Sequence, residues 1–384
     1  MKILWVTYIP SPYRVDFFNE LGKYSELFVL FETRNEVGRD SSWLDFAAEN
    51  FKCAFVSEGT KLKDFNMADF DHIFVTNYYD AFGIKTIAQL KLREIPYILE
   101  GDGAFAGAGH GIREIIKRWI LKDARLCFST GAAHDRYYEA YKVSADRIVR
   151  YPFSSIREKD ILSEPVREEE KNKIRNKLGM SEQYILLAVG QFIPRKGYDI
   201  LIKSIARLKD INVGCYIVGG QPPEEYTELT DEYKVKDRVH FIDFKIKPEL
   251  DEYYMAADLF VHPTREDIWG LVINEAMAKG IPVVTTDRCI AGTELIKTPE
   301  AGEIVITDNP EALANAIAGN LESKTGRSAR VLETIRPYTI ENMAKRHVEI
   351  LTELQCTTSL TSPLACDGPS TCAWIARNGL KHRP

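Results

Sequence analysis

Short apolar runs recur along this chain, and stretches of helical period separate them. Residues 2–8 (KILWVTY) form a continuous apolar run closed by Pro10 and Pro12, the pattern of a strand buried on both faces. Runs of the same kind stand at 27–31, 72–76, 96–100 and 125–129, with helix-period segments at 13–22, 81–93, 111–122 and 132–141. Strands that alternate with helices predict βαβ units and a parallel sheet covered on both sides. Charge dominates 157–177, which reads as a linker region, and the alternation then restarts at 184–190, 214–220, 239–244, 258–264, 281–286 and 303–307, with a helix over 198–208. The predicted fold class is therefore α/β, with two doubly wound, Rossmann-like domains facing each other across a cleft, 1–165 and 166–338. Ile340, Met343, Ala344, His347, Ile350, Leu351 and Leu354 recur at helical spacing behind Thr339 as N-cap, which predicts a terminal helix over 339–354, placed to cross back to the first domain. Residues 355–384 lose this period and read as a disordered tail.

Composition narrows the classes without changing this picture. A chain of 384 residues fits two domains at roughly 100 to 200 residues each. Hydrophobic residues make up 45% and charged residues 28%, which excludes fibrous, wholly disordered and membrane-spanning classes. The net charge of -6 leaves no global electrostatic footprint for nucleic acid. Seven cysteines show neither a C-x-x-C pair nor zinc-like spacing with histidine, so a metal site is not expected. The N-terminus lacks the long apolar stretch of a signal peptide, which makes the cytoplasm the expected location.

Ligands of open α/β sheets bind at the carboxyl ends of the strands. No G-x-G-x-x-G follows the first strand, and no G-x-x-x-x-G-K-[ST] occurs, so the dinucleotide and P-loop readings fall away. After the strand at 184–189 comes Gly190-Gln191-Phe192-Ile193-Pro194-Arg195-Lys196-Gly197, then a helix. Basic residues beside a helix N-terminus suit a diphosphate; the bland reading is a solvated basic loop. Further on, Asp267 and Glu275 lie eight positions apart across Trp269-Gly270 at a loop-to-helix junction, where both can face one ligand and accept hydrogen bonds from the vicinal hydroxyls of a sugar. The alternative there is a pair of carboxylates serving the helix N-terminus and solvent.

The stretch DIWGLVINEAMAKGIPVVTT resembles the E-x7-E block of retaining, two-domain GT-B glycosyltransferases, above all glycosyltransferase family 4, and GQFIPRKGYDILIKSIARL is similar to that family's phosphate loop. The likeness is strong over about 184–310, looser over 1–155 and absent from the last thirty residues. It implies the GT-B architecture and transfer of a hexosyl group from a nucleotide-diphosphate sugar to a hydroxyl of a glycan or lipid-linked acceptor, with retained configuration and without a metal. It also implies a setting in surface polysaccharide or glycolipid synthesis. By position, the resemblance assigns Lys196 to the donor diphosphate, Glu275 to the ribose hydroxyls and Asp267 to the transferred sugar. The backbone of Trp269, Gly270 and Leu271 closes on sugar and phosphates, beside Gly190. Where the pattern has Glu this chain has Asp267, so Glu266 is expected to substitute in part; where it has a basic residue after the glycine stands Gln191, leaving Arg195 as the replacement. Asp243 stands where the family often has Gly. No histidine is available after the strand at 95–100, and Asp102, with Tyr13 and Arg14 after the first strand, is the candidate for the acceptor side of the cleft, Arg14 toward phosphate or in a surface salt bridge.

Competing readings of the same pattern are a non-catalytic nucleotide-sugar-binding protein and a nucleotide-sugar epimerase. One further element stands apart. Residues 111–125 set Ile112, Ile115, Ile116, Trp119 and Ile120 on one helical side, with Arg113, Lys117, Arg118 and Lys122 around the rest. Such a helix either packs on its own sheet or lies on an anionic membrane surface.

Overall fold

The structure is a computed structural model that describes residues 1–34, 46–107, 109, 111–323 and 327–360. The first lobe holds β1 (Lys2–Thr7), α1 (Pro12–Leu21), β2 (Glu26–Phe31), β3 (Lys52–Phe55), β4 (His72–Val75), α2 (Ala81–Leu92), β5 (Ile98–Glu100), α3 (Ile112–Lys122), β6 (Leu126–Ser129), α4 (Ala132–Ala140) and β7 (Ile148–Arg150). Its seven strands form one sheet in the order β3-β2-β1-β4-β5-β6-β7, and their ladders are parallel. Central strands such as β1 and β4 are buried almost throughout, which explains their unbroken apolar runs.

The second lobe runs α5 (Glu168–Leu178), β8 (Tyr184–Val189), α6 (Tyr198–Ile205), β9 (Val213–Val218), α7 (Glu224–Glu232), β10 (Val239–Ile242), α8 (Lys247–Ala256), β11 (Leu259–His262), α9 (Leu271–Ala278), β12 (Val283–Thr286), α10 (Ile290–Leu295), β13 (Gly302–Val305), α11 (Pro310–Glu322) and α12 (Ala329–Ile335). Its six-stranded sheet has the order β10-β9-β8-β11-β12-β13, again with parallel ladders. Both sheets reverse direction of growth once, between β1 and β4 and between β8 and β11. These switch points open a crevice above the strand ends, and the loops after β8 and β11 lie there.

The charged stretch read as a linker is corrected in its second half, because 168–178 is α5, a helix of the second lobe. Its inward-facing cations are neutralised: Lys171 Nζ lies 3.0 Å and Arg175 Nη2 2.6 Å from the carboxylate of Asp258, which also accepts from the backbone N–H of Ile185 at 2.7 Å. A Gly179 at φ +71° ends the helix.

The chain clusters into two compact units, Met1–His347 and Val348–Pro384. The last helix, α13, runs from Ile340 to Leu360, longer than the predicted 339–354. Within the first unit His347 is buried in an aromatic nest of the first sheet, with ring centroids 5.8 Å from Trp5, 4.9 Å from Phe17, 4.6 Å from Phe128 and 4.8 Å from Tyr151. Of the second unit, the described residues are the continuation of this helix; the predicted tail beyond Leu360 lies outside the described residues.

Candidate active site

Glycine shapes the loop after β8. Gly197 sits at φ +70° with a Cβ position only 2.1 Å from the carbonyl oxygen of Pro263, so no side chain fits there and the loops after β8 and β11 can touch. They are laced together. The N–H of Arg265 and the hydroxyl of Thr264 both donate to Arg195 O, at 2.7 and 2.9 Å, and Arg265 Nη1 donates to Pro194 O at 2.6 Å. Arg265 also grips Asp199 on α6 with two bonds of 2.9 and 2.8 Å and Asp308 at 2.7 Å, so its guanidinium pins the first turn of α6.

This lacing brings Lys196 and Asp267 together. Lys196 Nζ lies 2.7 Å from Asp267 Oδ2, with the two side chains only 13% and 12% exposed. His262, the last residue of β11, places Nε2 3.1 Å from the same oxygen. Burial pushes the Asp267 carboxyl upward, but the His262 hydrogen bond and the Lys196 charge outweigh it and hold the group well below the usual carboxylate range. Burial lowers the His262 pKa, so its imidazole is neutral and Nε2–H is the donor. Arg195 stays outward, with Nη1 2.6 Å from Glu266 O and 3.7 Å from Asp267 Oδ1. Gly190, at φ +145°, and the exposed Gln191 form the near end of the loop.

Glu266, expected to substitute in part for a longer acid at Asp267, pairs its carboxylate with Arg288. Gly270, at φ +102°, is the N-cap of α9, and Leu271 is that helix's first residue. The Trp269 ring is buried between Phe153 and Tyr338, its Nε1 donating to Asn274 Oδ1 at 2.8 Å, so only its backbone is left for a ligand. Glu275 occupies the second turn of α9. It has partners of its own, accepting from Tyr254 Oη at 2.9 Å and lying 3.5 Å from Ser155 Oγ; burial raises its pKa. Asp243 is hydrogen-bonded to Gln221.

On the opposite lobe, Tyr13, Arg14 and Asp102 meet in one cluster. Arg14, the third residue of α1, is 3% exposed and donates with one nitrogen to both oxygens of Glu100, each at 2.8 Å, and with the other to Asp102. Tyr13 Oη donates to Asp102 Oδ2 at 2.6 Å, and Tyr151 Oη donates to Glu100 Oε1 at 2.8 Å. Arg14 is therefore a buried ion pair rather than a surface one, with two carboxylates on its terminal nitrogens. Asp102, 31% exposed, is the open end of this network. Next to it, a Cβ on Gly103 would come within 1.9 Å of Ile268 O, and Arg288 stacks 4.2 Å from the ring of Phe105, so the loop after β5 lies against the loop that carries Asp267. A second bridge between the lobes is the N–H of Ala132, at the start of α4, donating to Glu294 Oε1 at 2.7 Å.

Sequence reasoning missed His262, Arg265 and Thr264. Within the run DLFVHPT, His262 stands just before Pro263 at the strand terminus facing the crevice, which is the one signal that pointed to it.

Residues 170–335 match the family described as glycosyl transferases group 1. This segment contains the Lys196 and Asp267 loops and the whole second sheet. Among characterised relatives, the lipopolysaccharide glucosyltransferase WaaG of Escherichia coli K12 is 36% identical over 119 residues, a span that is 30% of this chain and 31% of that protein, so the match covers about a third of the relative's length. Two solved structures resemble nearly the whole chain. Sucrose-phosphate synthase from Thermosynechococcus elongatus superposes with a TM-score of 0.73 at 18% identity, covering 93% of this chain and all of that one. Anabaena HepE, solved with UDP, gives 0.74 at 16% identity over 92% of this chain and all of its own. At such identities the likeness establishes the architecture, which is GT-B: two Rossmann-like lobes, with the segment that matches glycosyl transferases group 1 in the second.

Proposed function

We propose that this protein is a retaining glycosyltransferase of family 4 type that moves a hexosyl group from a nucleoside diphosphate sugar to an acceptor hydroxyl. The observation that carries this reading is the close Lys196–Asp267 pair in the crevice, inside the segment that matches glycosyl transferases group 1. A cation and an ionised acid side by side can be shared out along one donor, the ammonium to the diphosphate and the carboxylate to hydroxyls of the attached sugar. As the glycosidic bond breaks, negative charge grows on the departing diphosphate. Lys196 and the positive end of the α6 dipole stabilise it without a metal ion. Asp267 is held fully ionised and paired, which suits a sugar-holding group; departure of the diphosphate on the face where the acceptor enters lets the leaving oxygen accept the acceptor's proton and retains configuration. Glu275 serves the ribose, and Asp102, braced by Tyr13 and Arg14, faces the acceptor side.

HepE has been solved with UDP, which makes UDP sugars the first donors to test. A panel of UDP, ADP and GDP sugars is screened by thermal stabilisation, since a ligand at 100 times its Kd adds about 2.7 kcal/mol to folding. The expected outcome is one stabilising base-sugar combination, followed by acceptor-dependent release of the nucleoside diphosphate that survives EDTA. Stabilisation by none of them rejects the reading; release that needs no acceptor turns it toward the epimerase alternative.

The acceptor side of the proposal is a glycan or lipid-linked hydroxyl at an anionic membrane surface, in surface polysaccharide or glycolipid synthesis. Its support is α3, where Ile112, Ile115 and Trp119 are 68%, 64% and 41% exposed rather than packed on the sheet. Arg113, Arg118 and Lys122 flank this ridge. No described helix is long and apolar enough to cross a membrane, so the contact is peripheral. Ile115→Asp with Trp119→Asp is expected to abolish sedimentation with phosphatidylglycerol vesicles at low salt; unchanged sedimentation removes α3 from the model of docking.

A further inference from the structure

We propose that His262 is a positioning residue of the donor site, the group that keeps Asp267 in place when Lys196 turns to the diphosphate. The inference rests on the donor reading above and assigns a role to a residue that the motif resemblance left without one.

Three cationic or donor groups surround the Asp267 carboxylate. Lys196 Nζ and His262 Nε2 share Oδ2 at 2.7 and 3.1 Å, and Arg195 Nη1 stands 3.7 Å from Oδ1. They differ in how they can respond to a ligand. Lys196 ends a flexible stem in the loop after β8, and an entering diphosphate competes directly for its charge. Arg195 is half-exposed and already donates to Glu266 O. His262 cannot leave. It is 1% exposed on the last position of β11, its carbonyl accepts from Thr285 Oγ1 at 2.8 Å, and β11 is hydrogen-bonded between β8 and β12.

The tautomer follows from the contacts. Nε2 faces an ionised carboxylate and must carry the proton. Nδ1 is buried without a hydrogen-bond partner among the described residues, as befits the unprotonated nitrogen of a neutral ring. When the diphosphate draws Lys196 away, His262 Nε2–H remains as the fixed donor to Oδ2. Without it, a largely buried carboxylate would lose its orientation at the step in which it must hold sugar hydroxyls. Aspartate is one methylene shorter than glutamate, and the histidine behind it fixes where the short side chain points.

The test separates the sugar from the diphosphate by comparing UDP-glucose with UDP in calorimetric titrations of wild type, His262→Leu and His262→Gln. Wild type is expected to bind UDP-glucose tighter than UDP. In His262→Leu the UDP affinity stays within about threefold, while UDP-glucose affinity falls roughly 10- to 100-fold, the loss of a hydrogen bond to a charged group. His262→Gln, whose amide nitrogen reaches the Nε2 position, recovers UDP-glucose binding to within about threefold. Equal loss of UDP and UDP-glucose in a folded His262→Leu, or a folded His262→Gln as weak as His262→Leu, overturns the positioning role. Wild-type UDP-glucose affinity in His262→Leu overturns it as well. A wild-type chain that binds UDP but gains nothing from glucose overturns the sugar-holding role of Asp267 and this inference with it. A wild-type chain that binds neither these two ligands nor any ADP or GDP counterpart rejects the proposed function itself.

Discussion

Replacing Lys196 by Met keeps the length of the stem and removes the charge. In the ligand-free protein this strips Asp267 Oδ2 of its 2.7 Å partner and leaves His262 at 3.1 Å as the remaining close one. A hydrogen bond to a charged group contributes about 1.5 to 3 kcal/mol, and because His262 stays, a loss near the lower end is expected, about 2 kcal/mol at pH 7. The pH dependence has a definite sign. The folded-state pKa of Asp267 is depressed, so its ionisation contributes stability above the unfolded value near 4, and that contribution is lost as pH falls through the folded value. In Lys196→Met the depression is smaller, so the stability gap between variant and wild type is full at neutral pH and narrows only as pH falls through the variant's own folded-state value, which lies below the unfolded one. Turnover is a separate and larger effect: removing a charge that acts on the departing diphosphate should lower kcat roughly 100- to 1,000-fold. Urea unfolding followed from pH 7 down to about pH 2 reads the first effect, and steady-state release of nucleoside diphosphate reads the second. A variant that turns over within threefold of wild type refutes the placement of Lys196 on the diphosphate. A stability gap independent of pH refutes the electrostatic account of the pair.

Three other outcomes are expected. Asp258→Asn leaves Lys171 and Arg175 buried beside a neutral amide, so it should destabilise the second lobe by roughly 3 to 5 kcal/mol in urea unfolding; a change under 1 kcal/mol would show the cluster to be surface-like. Burial holds His72 near pKa 4 and His134 and His347 near 3, so each is neutral in the fold and takes a proton on unfolding below about pH 6.5. Their contribution is present above that pH and is lost as pH falls, by about 1.4 kcal/mol per group per pH unit, and His347→Phe should flatten the measured slope by one group's share. Glu275→Ala should raise the apparent donor KM while leaving kcat within a few-fold; the reverse split would place Glu275 in the chemical step.

The strands were legible because a parallel sheet buries both faces, which writes β1 or β9 as an unbroken apolar run. The edges were not. β3 (KCAF) and β7 (IVR) are short and half-exposed, and their runs are too brief to stand out from loop sequence. α5 was hidden for a different reason: EEEKNKIRNKL has the composition of a solvated segment, and the burial of Lys171 and Arg175 depends on Asp258, some eighty residues away. The same limit governs the site. Lys196 and Asp267 stand in local motifs, so their neighbourhood could be anticipated. The two-carboxylate grip on Arg14 and the His262 contact are products of sheet order, and the turn of Glu266 toward Arg288 depends on which way one loop residue points.

The nest that receives His347 has a temporal side. Trp5, Phe17 and Phe128 leave the ribosome long before the residue that fills the space between them, and at 5 to 20 residues per second the interval between residue 150 and residue 347 is roughly 10 to 40 s. For that time the nascent first lobe carries an uncovered aromatic hollow. Synthesis of the opening half alone would never close it, so the two lobes are bound to one polypeptide by the order of folding as much as by the crevice they share.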